Sequence, residues 1–188
     1  MRKDHLCLHL GCGKRHLPGY VHIDIASYPH IDYRQDIRRL PMFKDNSVDL
    51  IYCSHALEYF DRLEVQEVLK EWRRVLKKGG ILRLAMPDFA SLVKIYHKYK
   101  KLERIIGPIY GRWPINAEQS ILYHKTGYDF SSLKELLTAQ GFRKIRRWDW
   151  RKVFTGPLAG FDDYSQAYVP HLDKKRGILI SLNVEASK

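Results

Sequence analysis

The chain has 188 residues, of which 45% are hydrophobic and 12% are aromatic, so it can build a packed core and a disordered chain is excluded. This length suits one domain better than two, and we expect residues 1–188 to form a single domain. Lys and Arg outnumber Asp and Glu by 33 to 21, for a net charge of +12. Such an excess attracts anionic partners, such as phosphorylated metabolites, acidic glycans, lipid headgroups or nucleic acid, or it serves only solubility.

Three classes of protein are excluded by what the sequence lacks. No run approaches eighteen consecutive apolar residues, so no membrane-spanning helix is predicted. The three cysteines (Cys7, Cys12 and Cys53) are odd in number and show no Cys-x-x-Cys spacing, which argues against a disulfide framework and a zinc site. His5 and His9 share a strand face with Cys7 without a wider ligand cluster, so we predict no metal site. No apolar signal segment precedes the first strand, and we expect a reduced, cytoplasmic protein.

The predicted strands are short apolar runs, and helical patterns separate the later ones. Five runs are well defined, and a sixth, over 142–150, alternates poorly; the five cover 5–10, 20–25, 48–53, 80–86 and 177–184. Strands of this kind with helices between them indicate an α/β fold with a mainly parallel sheet covered on both faces.

Three helices are predicted from their boundaries and periodicity. Asp61 and Glu64 form a capping box, and an apolar stripe follows. Gly79 stands where a glycine in the left-handed conformation is expected to end the helix. A second helix begins at Ser132 and stops at Gly141, and a third runs over about 89–106 with a lysine-rich outer stripe.

A glycine-containing turn follows the first strand, and an acid follows the second. Gly11 and Gly13 let the backbone turn sharply and approach a ligand closely. Asp24 ends the neighbouring strand, where a carboxylate can accept both hydroxyls of a ribose. The spacing favours a nucleoside site, and a plain tight turn is the alternative.

The same segment excludes the common pyrophosphate-binding loops. A dinucleotide fingerprint needs a third glycine opening a helix, but here that position is His16, and Pro18-Gly19 leaves no room for the helix. Asp24 comes eleven residues after Gly13, earlier than in a dinucleotide fold, and no Gly-Lys-Ser/Thr phosphate loop is present. The loop therefore suits a nucleoside without a pyrophosphate, and an oxidoreductase is disfavoured.

Several motifs in order resemble the class I S-adenosylmethionine-dependent methyltransferases, and more narrowly their methyltransferase type 11 branch. The resemblance covers residues 5 to about 90, and 130–142 continue it more loosely. The motifs are Leu8-His9-Leu10-Gly11-Cys12-Gly13 with Asp24, Asp36-Ile37 before Leu40-Pro41-Met42, Asn46 to Ile51, Ser54-His55-Ala56-Leu57-Glu58, Leu76 to Leu82, and Met86-Pro87-Asp88. The resemblance implies a Rossmann-like methyltransferase sheet, with S-adenosylmethionine as cofactor. Only about ten residues fill each gap where the family has its first helices, so we expect turns there.

The resemblance also implies which residues hold the cofactor. Asp24 would hold the ribose hydroxyls, Ile25 would pack on the adenine, and Asp36 would accept the adenine amino group beside the amide of Ile37. Ser54 and His55 would border the sulfonium and the acceptor. The backbone against the methionyl part would be that of Leu10, Gly11, Cys12 and Gly13.

Methyl transfer to oxygen also needs a base, for which a histidine or a carboxylate near neutral pKa is suited. The candidates are His55, Asp88 and His124, and the alternative for Asp88 is a cap for the helix that begins at Phe89.

The segment 107–130 is rich in aromatic residues, Gly and Pro, as acceptor-binding loops and lids often are. It predicts an acceptor pocket formed by Tyr110, Arg112, Trp113, Tyr123, His124 and Tyr128; the alternative is a packed surface loop. We therefore expect methyl transfer to oxygen of a small-molecule or glycan acceptor, in a monomer or homodimer.

Two further functions remain open on the sequence alone. Residues 143–152 interleave cations with two tryptophans, a pattern that either stacks single-stranded RNA or forms a strand with inward tryptophans. The charge also permits a methyltransferase acting on RNA or protein, and the shortened helices permit a non-catalytic nucleoside-binding domain.

Overall fold

The computed structural model describes residues 5–114, 121–171 and 173–188. Its strands are β1 (Cys7–Leu10), β2 (Val21–Asp24), β3 (Tyr33–Arg34), β4 (Val48–Ser54), β5 (Leu76–Pro87), β6 (Trp113–Pro114), β7 (Ile121–Leu122), β8 (Arg143–Arg147), β9 (Tyr168–Val169), β10 (Ile178–Leu179) and β11 (Ser181–Ser187). Its α-helices are α1 (Glu64–Val75), α2 (Phe89–Tyr99), α3 (Ile106–Tyr110), α4 (Phe130–Ala139) and α5 (Trp150–Val153). None of the described helices is long and apolar enough to cross a bilayer.

A seven-stranded sheet in the order β3-β2-β1-β4-β5-β11-β8 organises the molecule. The first five of these strands run parallel, whereas β11 is antiparallel to both β5 and β8. The predicted α/β class and mainly parallel sheet are therefore confirmed. Because the carboxyl ends of the parallel strands share one edge, the turns after β1, β2, β4 and β5 meet there, and this edge is where open α/β sheets bind ligands.

The main core lies between one face of the sheet and helices α1 and α4. Trp72 of α1 is fully buried there, and its indole Nε1 donates to the carbonyl of Ile37 at 2.8 Å. Leu133 and Leu137 of α4 are also fully buried in this cluster. Trp72 thus ties the loop after β3 to the helix after β4.

On the opposite face of the sheet, no described helix connects β1 to β2 or β2 to β3. The connections there are turns, as the short gaps predict. Tyr52, Trp148 and Phe154 pack on this face instead, with Phe161 and the half-buried residues of α5 around them. The C-terminal third of the chain therefore covers the sheet where the shortened helices leave it bare.

Three predicted helix boundaries change. The Asp61–Glu64 capping box forms, with Asp61 accepting from the Glu64 amide at 2.9 Å and Glu64 accepting from the Asp61 amide at 2.9 Å. However, α1 ends at Val75, and Gly79 lies inside β5 with a φ of 77°, so the prediction that it stops the helix is wrong. The chain becomes extended at Leu76 because this residue already pairs with Val48 of β4.

The other two boundary corrections concern α2 and α4. Helix α2 ends at Tyr99, well before the predicted 106, because Lys100 takes a left-handed conformation. Helix α4 begins at Phe130, two residues earlier than predicted, because Asp129 caps it and Ser132 completes the capping box. The predicted strand over 177–184 is divided into β10 and β11 at Ile180.

Candidate functional site

The turn after β1 has the conformation that the glycines predict. Gly11 and Gly13 have φ values of 63° and 52°, which residues with a β-carbon rarely adopt. A β-carbon at Gly11 would lie 2.5 Å from Cβ of Ala56, and one at Gly13 would lie 3.1 Å from the ring of Trp113. The loop is thus closely flanked by the turn after β4 and by β6, and only bare backbone fits.

Asp24 holds this loop through two backbone amides. Its Oδ2 accepts from the Gly13 amide and its Oδ1 from the Ala26 amide, each at 2.8 Å, and the residue is buried. Each carboxylate oxygen has a second lone pair, so the group can still accept hydroxyls. Gly13 and Asp24 therefore lie close enough together to contact one nucleoside.

The remaining cofactor candidates near this loop differ in their burial and in their distance from it. Leu10 is fully buried at the end of β1, Ile25 is half-buried, and Ile37 Cδ1 would lie 3.6 Å from a β-carbon at Gly11. Cys12 is buried, and burial raises the pKa of its thiol to about 12, so it is a small uncharged residue of the loop.

Asp36 lies farther toward the surface, where its carboxylate accepts from Arg38 at 2.6 Å. Burial would raise the pKa of Asp36, but the hydrogen bonds from Arg38 outweigh it and hold the pKa below its usual value. An adenine amino group would have to share Asp36 with this guanidinium.

The turn after β4 carries a buried carboxylate beside two histidines. His55 takes a left-handed φ of 54°, and a short 3-10 helix over Leu57–Tyr59 then brings Glu58 underneath it. Glu58 Oε1 lies 3.4 Å from His55 Nδ1 and 3.7 Å from His124 Nε2. Among the described residues, neither Glu58 oxygen has a hydrogen-bond partner of good geometry, and neither does the buried hydroxyl of Ser54.

Burial sets the charge state of this group. It raises the pKa of Glu58 to about 8 and lowers the pKa of His55 to about 3, with the neighbouring His124 as a second cause for His55. Burial also lowers the pKa of His124. The three side chains are therefore mostly neutral at pH 7, with one exchangeable proton on Glu58.

The hydrogen bonds around the histidines define their tautomers. His124 Nδ1 lies 3.1 Å from the carbonyl of Pro108, so it carries the proton and Nε2 keeps a lone pair. The Ser181 hydroxyl donates to Asn183 Oδ1 at 2.8 Å and therefore accepts from His55 Nε2 at 3.3 Å. The unprotonated nitrogen of each histidine thus lies within 3.7 Å of Glu58 Oε1, too far for a hydrogen bond of good geometry.

A cavity of about 250 Å³ opens beside Glu58 and His124. Its other walls are mainly apolar and include Phe89, Leu92, Ile109, Tyr110 and Tyr128. The volume is slightly below that of typical sites for drug-sized ligands, so it suits a small acceptor or one ring of a larger one.

The segment 107–130 folds back over the glycine loop where the structure describes it; residues 115–120 of this predicted acceptor loop lie outside the described residues. Strands β6 and β7 pair, which places Trp113 against Gly13. The position of a β-carbon on Gly111 is taken by the ring of His124. Tyr110, His124 and Tyr128 thus meet at the cavity.

Three predicted acceptor residues are placed elsewhere. Within the described chain, Arg112, Trp113 and Tyr123 do not line this cavity; Trp113 lies against Gly13, and the Tyr123 side chain is exposed. Asp88 caps α2 by accepting from the Ala90 amide at 3.2 Å, and it also lies 3.6 Å from Arg147. Asp88 thus has the role of a helix cap, which was the alternative predicted from the sequence, and its carboxylate is engaged at the start of α2.

The basic run 143–152 begins with the edge strand β8, whose cations are exposed, and continues through an inward tryptophan into α5. Trp148 is buried, and its Nε1 donates to the carbonyl of Leu84 at 2.9 Å. Trp150 is half-buried beneath Arg151 and Lys174, each within 4.6 Å of its ring. The first ring is therefore unavailable as a stacking surface for RNA, and cations already occupy the second.

Three residues of the candidate site were not predicted from the sequence. Glu58 stands in the Ser54–Glu58 motif, but its role depends on the 3-10 turn that places it under His55. Ser181 and Asn183 lie in β11, more than 120 residues from His55, and no local pattern connects them. The signal in the sequence that could have indicated them is an apolar strand with Ser181 and Asn183 on the same face.

The residues present fit S-adenosylmethionine at this edge of the sheet. The glycine loop offers backbone that a β-carbon would obstruct, Asp24 offers hydroxyl acceptors, and Ile37 offers an apolar contact. The unpartnered Ser54 hydroxyl lies at the end of β4, next to His55.

Comparison with known proteins agrees with this geometry. Residues 8–84 match the family described as methyltransferase domain. A demethylmenaquinone methyltransferase from Staphylococcus haemolyticus is 31% identical over 134 residues, which are 66% of this chain and 51% of that protein. The chain spans about half the length of the curated relatives it matches.

Solved structures share the fold at low identity. A SAM-dependent methyltransferase from Archaeoglobus fulgidus superimposes with a TM-score of 0.59 at 16% identity, over 99% of this chain and 87% of that one. A second, from Methanosarcina mazei, gives 0.57 at 20% identity, over 100% of this chain and 94% of that one. Residues 8–84 thus match the methyltransferase domain family, and the chain has the fold of the SAM-dependent methyltransferases.

Proposed function

We propose that the chain binds S-adenosylmethionine and catalyses transfer of its methyl group to a hydroxyl oxygen of a small acceptor, or of one ring of a glycan. The observation that carries this proposal is the meeting of two half-sites at one sheet edge. Ala56, which contacts Gly11 of the cofactor loop, lies two residues from Glu58 of the cavity. The segment 107–130 also reaches both half-sites, since its Trp113 lies against Gly13 and its His124 lines the cavity.

The cofactor half-site consists of main chain and one carboxylate. Gly11 and Gly13 would lie against the methionyl part, and Asp24 would accept the ribose hydroxyls while it holds the Gly13 amide. When bound, S-adenosylmethionine supplies an electrophilic methyl group, so the protein has to orient the acceptor and remove a proton.

His124 is the proposed general base. Its Nδ1–H donates to the carbonyl of Pro108, which leaves the Nε2 lone pair to take the acceptor's hydroxyl proton. Glu58 stabilises the resulting imidazolium from 3.7 Å once its own carboxyl is ionised, above a pKa of about 8. Turnover should therefore rise with pH between about 7 and 8.5.

Calorimetry separates the cofactor proposal from its alternatives. The wild-type protein should bind S-adenosylmethionine and not NAD, and Asp24→Ala should abolish that binding. Glu185→Gln is a matched control, because Glu185 is a buried ion-paired acid that contacts Arg83 and Arg146 away from the loop. Equal affinities of the wild-type and Asp24→Ala proteins for S-adenosylmethionine would contradict the assignment.

The catalytic step is tested with radiolabelled methyl donor and a panel of phenols, sugars and glycolipids. His124→Gln should lower turnover at least tenfold and leave S-adenosylmethionine affinity unchanged. In Glu58→Gln, the rise of turnover with pH should be lost. Tight cofactor binding without methylation of any acceptor would overturn the enzymatic proposal and favour the non-catalytic nucleoside-binding domain.

A further inference from the structure

Helix α2 carries an apolar stripe that faces solvent. Phe89, Val93 and Tyr96, which we call the apolar stripe, are 52%, 49% and 44% exposed. Their i, i+4, i+7 spacing places them on one side of α2, while Leu92 and Ile95 of the same helix are buried against the protein. The helix therefore has two apolar faces, and the described part of the chain covers one of them and leaves the other exposed.

The apolar stripe leads directly to the proposed acceptor cavity. Phe89, at the start of the stripe, is both exposed and part of the cavity wall. Tyr110 lines the same cavity and is 57% exposed. The mouth of the cavity is thus bordered by exposed apolar side chains, which a ligand entering from water does not require.

Positive charge surrounds this surface. Between residues 89 and 114 there are six Lys or Arg residues and one acid, Glu103. Lys100 and Lys101 directly follow the C-terminal end of α2, and both are exposed. An apolar stripe with aromatic residues and flanking lysines is the pattern of helices that lie in the plane of an anionic membrane surface.

We propose that this face of α2 docks on anionic lipid bilayers and receives a membrane-resident, hydroxyl-bearing acceptor through the cavity mouth. The apolar stripe would enter the headgroup region, with Lys100 and Lys101 against lipid phosphates. Docking itself is independent of catalysis, whereas the delivery of the acceptor rests on the proposed methyl transfer.

Vesicle co-sedimentation in the absence of S-adenosylmethionine tests docking alone. Wild-type protein should pellet with phosphatidylcholine vesicles that contain 30 mol% phosphatidylglycerol, and not with phosphatidylcholine alone. Val93→Asp should lower partitioning about tenfold or more, since it removes an exposed apolar side chain that would enter the bilayer and adds a charge of the same sign as the lipid. Leu63→Asp is the matched control, because Leu63 is 78% exposed at the start of α1 and should have no effect.

The charge contribution is tested by a second pair of variants. Lys100→Gln with Lys101→Gln should lower partitioning about 25-fold, from a factor of about five per cation. Lys134→Gln with Arg143→Gln removes the same charge from exposed positions on α4 and β8 and should have a much smaller effect.

Several outcomes would overturn the docking proposal. One is equal pelleting of wild-type and Val93→Asp proteins, and another is the absence of pelleting with anionic vesicles. A concentration-dependent dimer that Val93→Asp dissociates, without vesicle binding, would assign the stripe to a second copy of the chain. Retained S-adenosylmethionine binding by Val93→Asp shows that the variant is folded, so loss of docking and failure of the cofactor site are distinguishable.

Discussion

Alanine at Gly11 should be strongly destabilising, for two separate reasons. The φ of 63° costs a residue with a β-carbon about 1–2 kcal/mol. In addition, the new β-carbon would lie 2.5 Å from Cβ of Ala56, and overpacking of this kind typically costs about 1–3 kcal/mol. Gly11→Ala should therefore lower the free energy of unfolding by about 2–5 kcal/mol, a large share of the stability of a small domain.

Two other glycines separate these contributions. Gly79 has a φ of 77°, but a β-carbon there would meet no heavy atom of the described chain within 4 Å. Gly79→Ala should therefore cost only about 1–2 kcal/mol. A β-carbon on Gly107 would also meet no described atom within 4 Å, and Gly107 has no positive φ, so Gly107→Ala should be neutral or slightly stabilising.

Urea unfolding followed by tryptophan fluorescence measures all three variants. With a slope of about 2 kcal/mol/M, Gly11→Ala should lower the midpoint by about 1–2.5 M relative to the wild-type protein. S-adenosylmethionine affinity should fall in Gly11→Ala and remain unchanged in Gly79→Ala. If Gly11→Ala were no less stable than Gly79→Ala, the close approach of Gly11 and Ala56 would be refuted.

Three further changes test the buried polar groups. Folding raises the pKa of Glu58 from about 4.5 to about 8, so the stability of the wild-type protein should fall as pH rises across that range, by at most about 1.4 kcal/mol per pH unit from this group. Between pH 5 and pH 8, the urea midpoint should fall less in Glu58→Gln than in the wild-type protein. An identical fall in both proteins would contradict the burial of an ionisable Glu58. The effect of His9 has the opposite sign, since burial lowers its pKa to about 3, so stability should fall as pH drops below 6.5. His9→Phe should reduce the loss between pH 7 and pH 4.5 by about 2.5 kcal/mol. Trp148→Phe should cost about 2 kcal/mol by leaving the Leu84 carbonyl without its donor, and Trp150→Phe, at a half-buried ring, should cost less than half as much; thermal unfolding would reveal equal losses if Trp148 were not the buried partner.

The proposed cofactor half of the site could be predicted from the sequence, because it depends on local backbone conformation. Gly11 and Gly13 follow one strand and Asp24 ends the next, so the order of elements in a parallel sheet already brings them to the same edge. The capping boxes at Asp61 and Asp129 are also local, and both form, although the second starts its helix two residues earlier than predicted.

The proposed catalytic half of the site, and several helix boundaries, depend on contacts between distant parts of the chain. Gly79 was expected to end a helix, but pairing of Leu76 with Val48 extends the chain first. His55, Glu58 and His124 come from two distant segments, and Ser181 and Asn183 of the last strand orient His55. A carboxylate in a sequence gives no sign of its burial, and burial raises the pKa of Glu58 to about 8. Desolvation depends on every element packed around a group, so it exists only once the whole chain has folded.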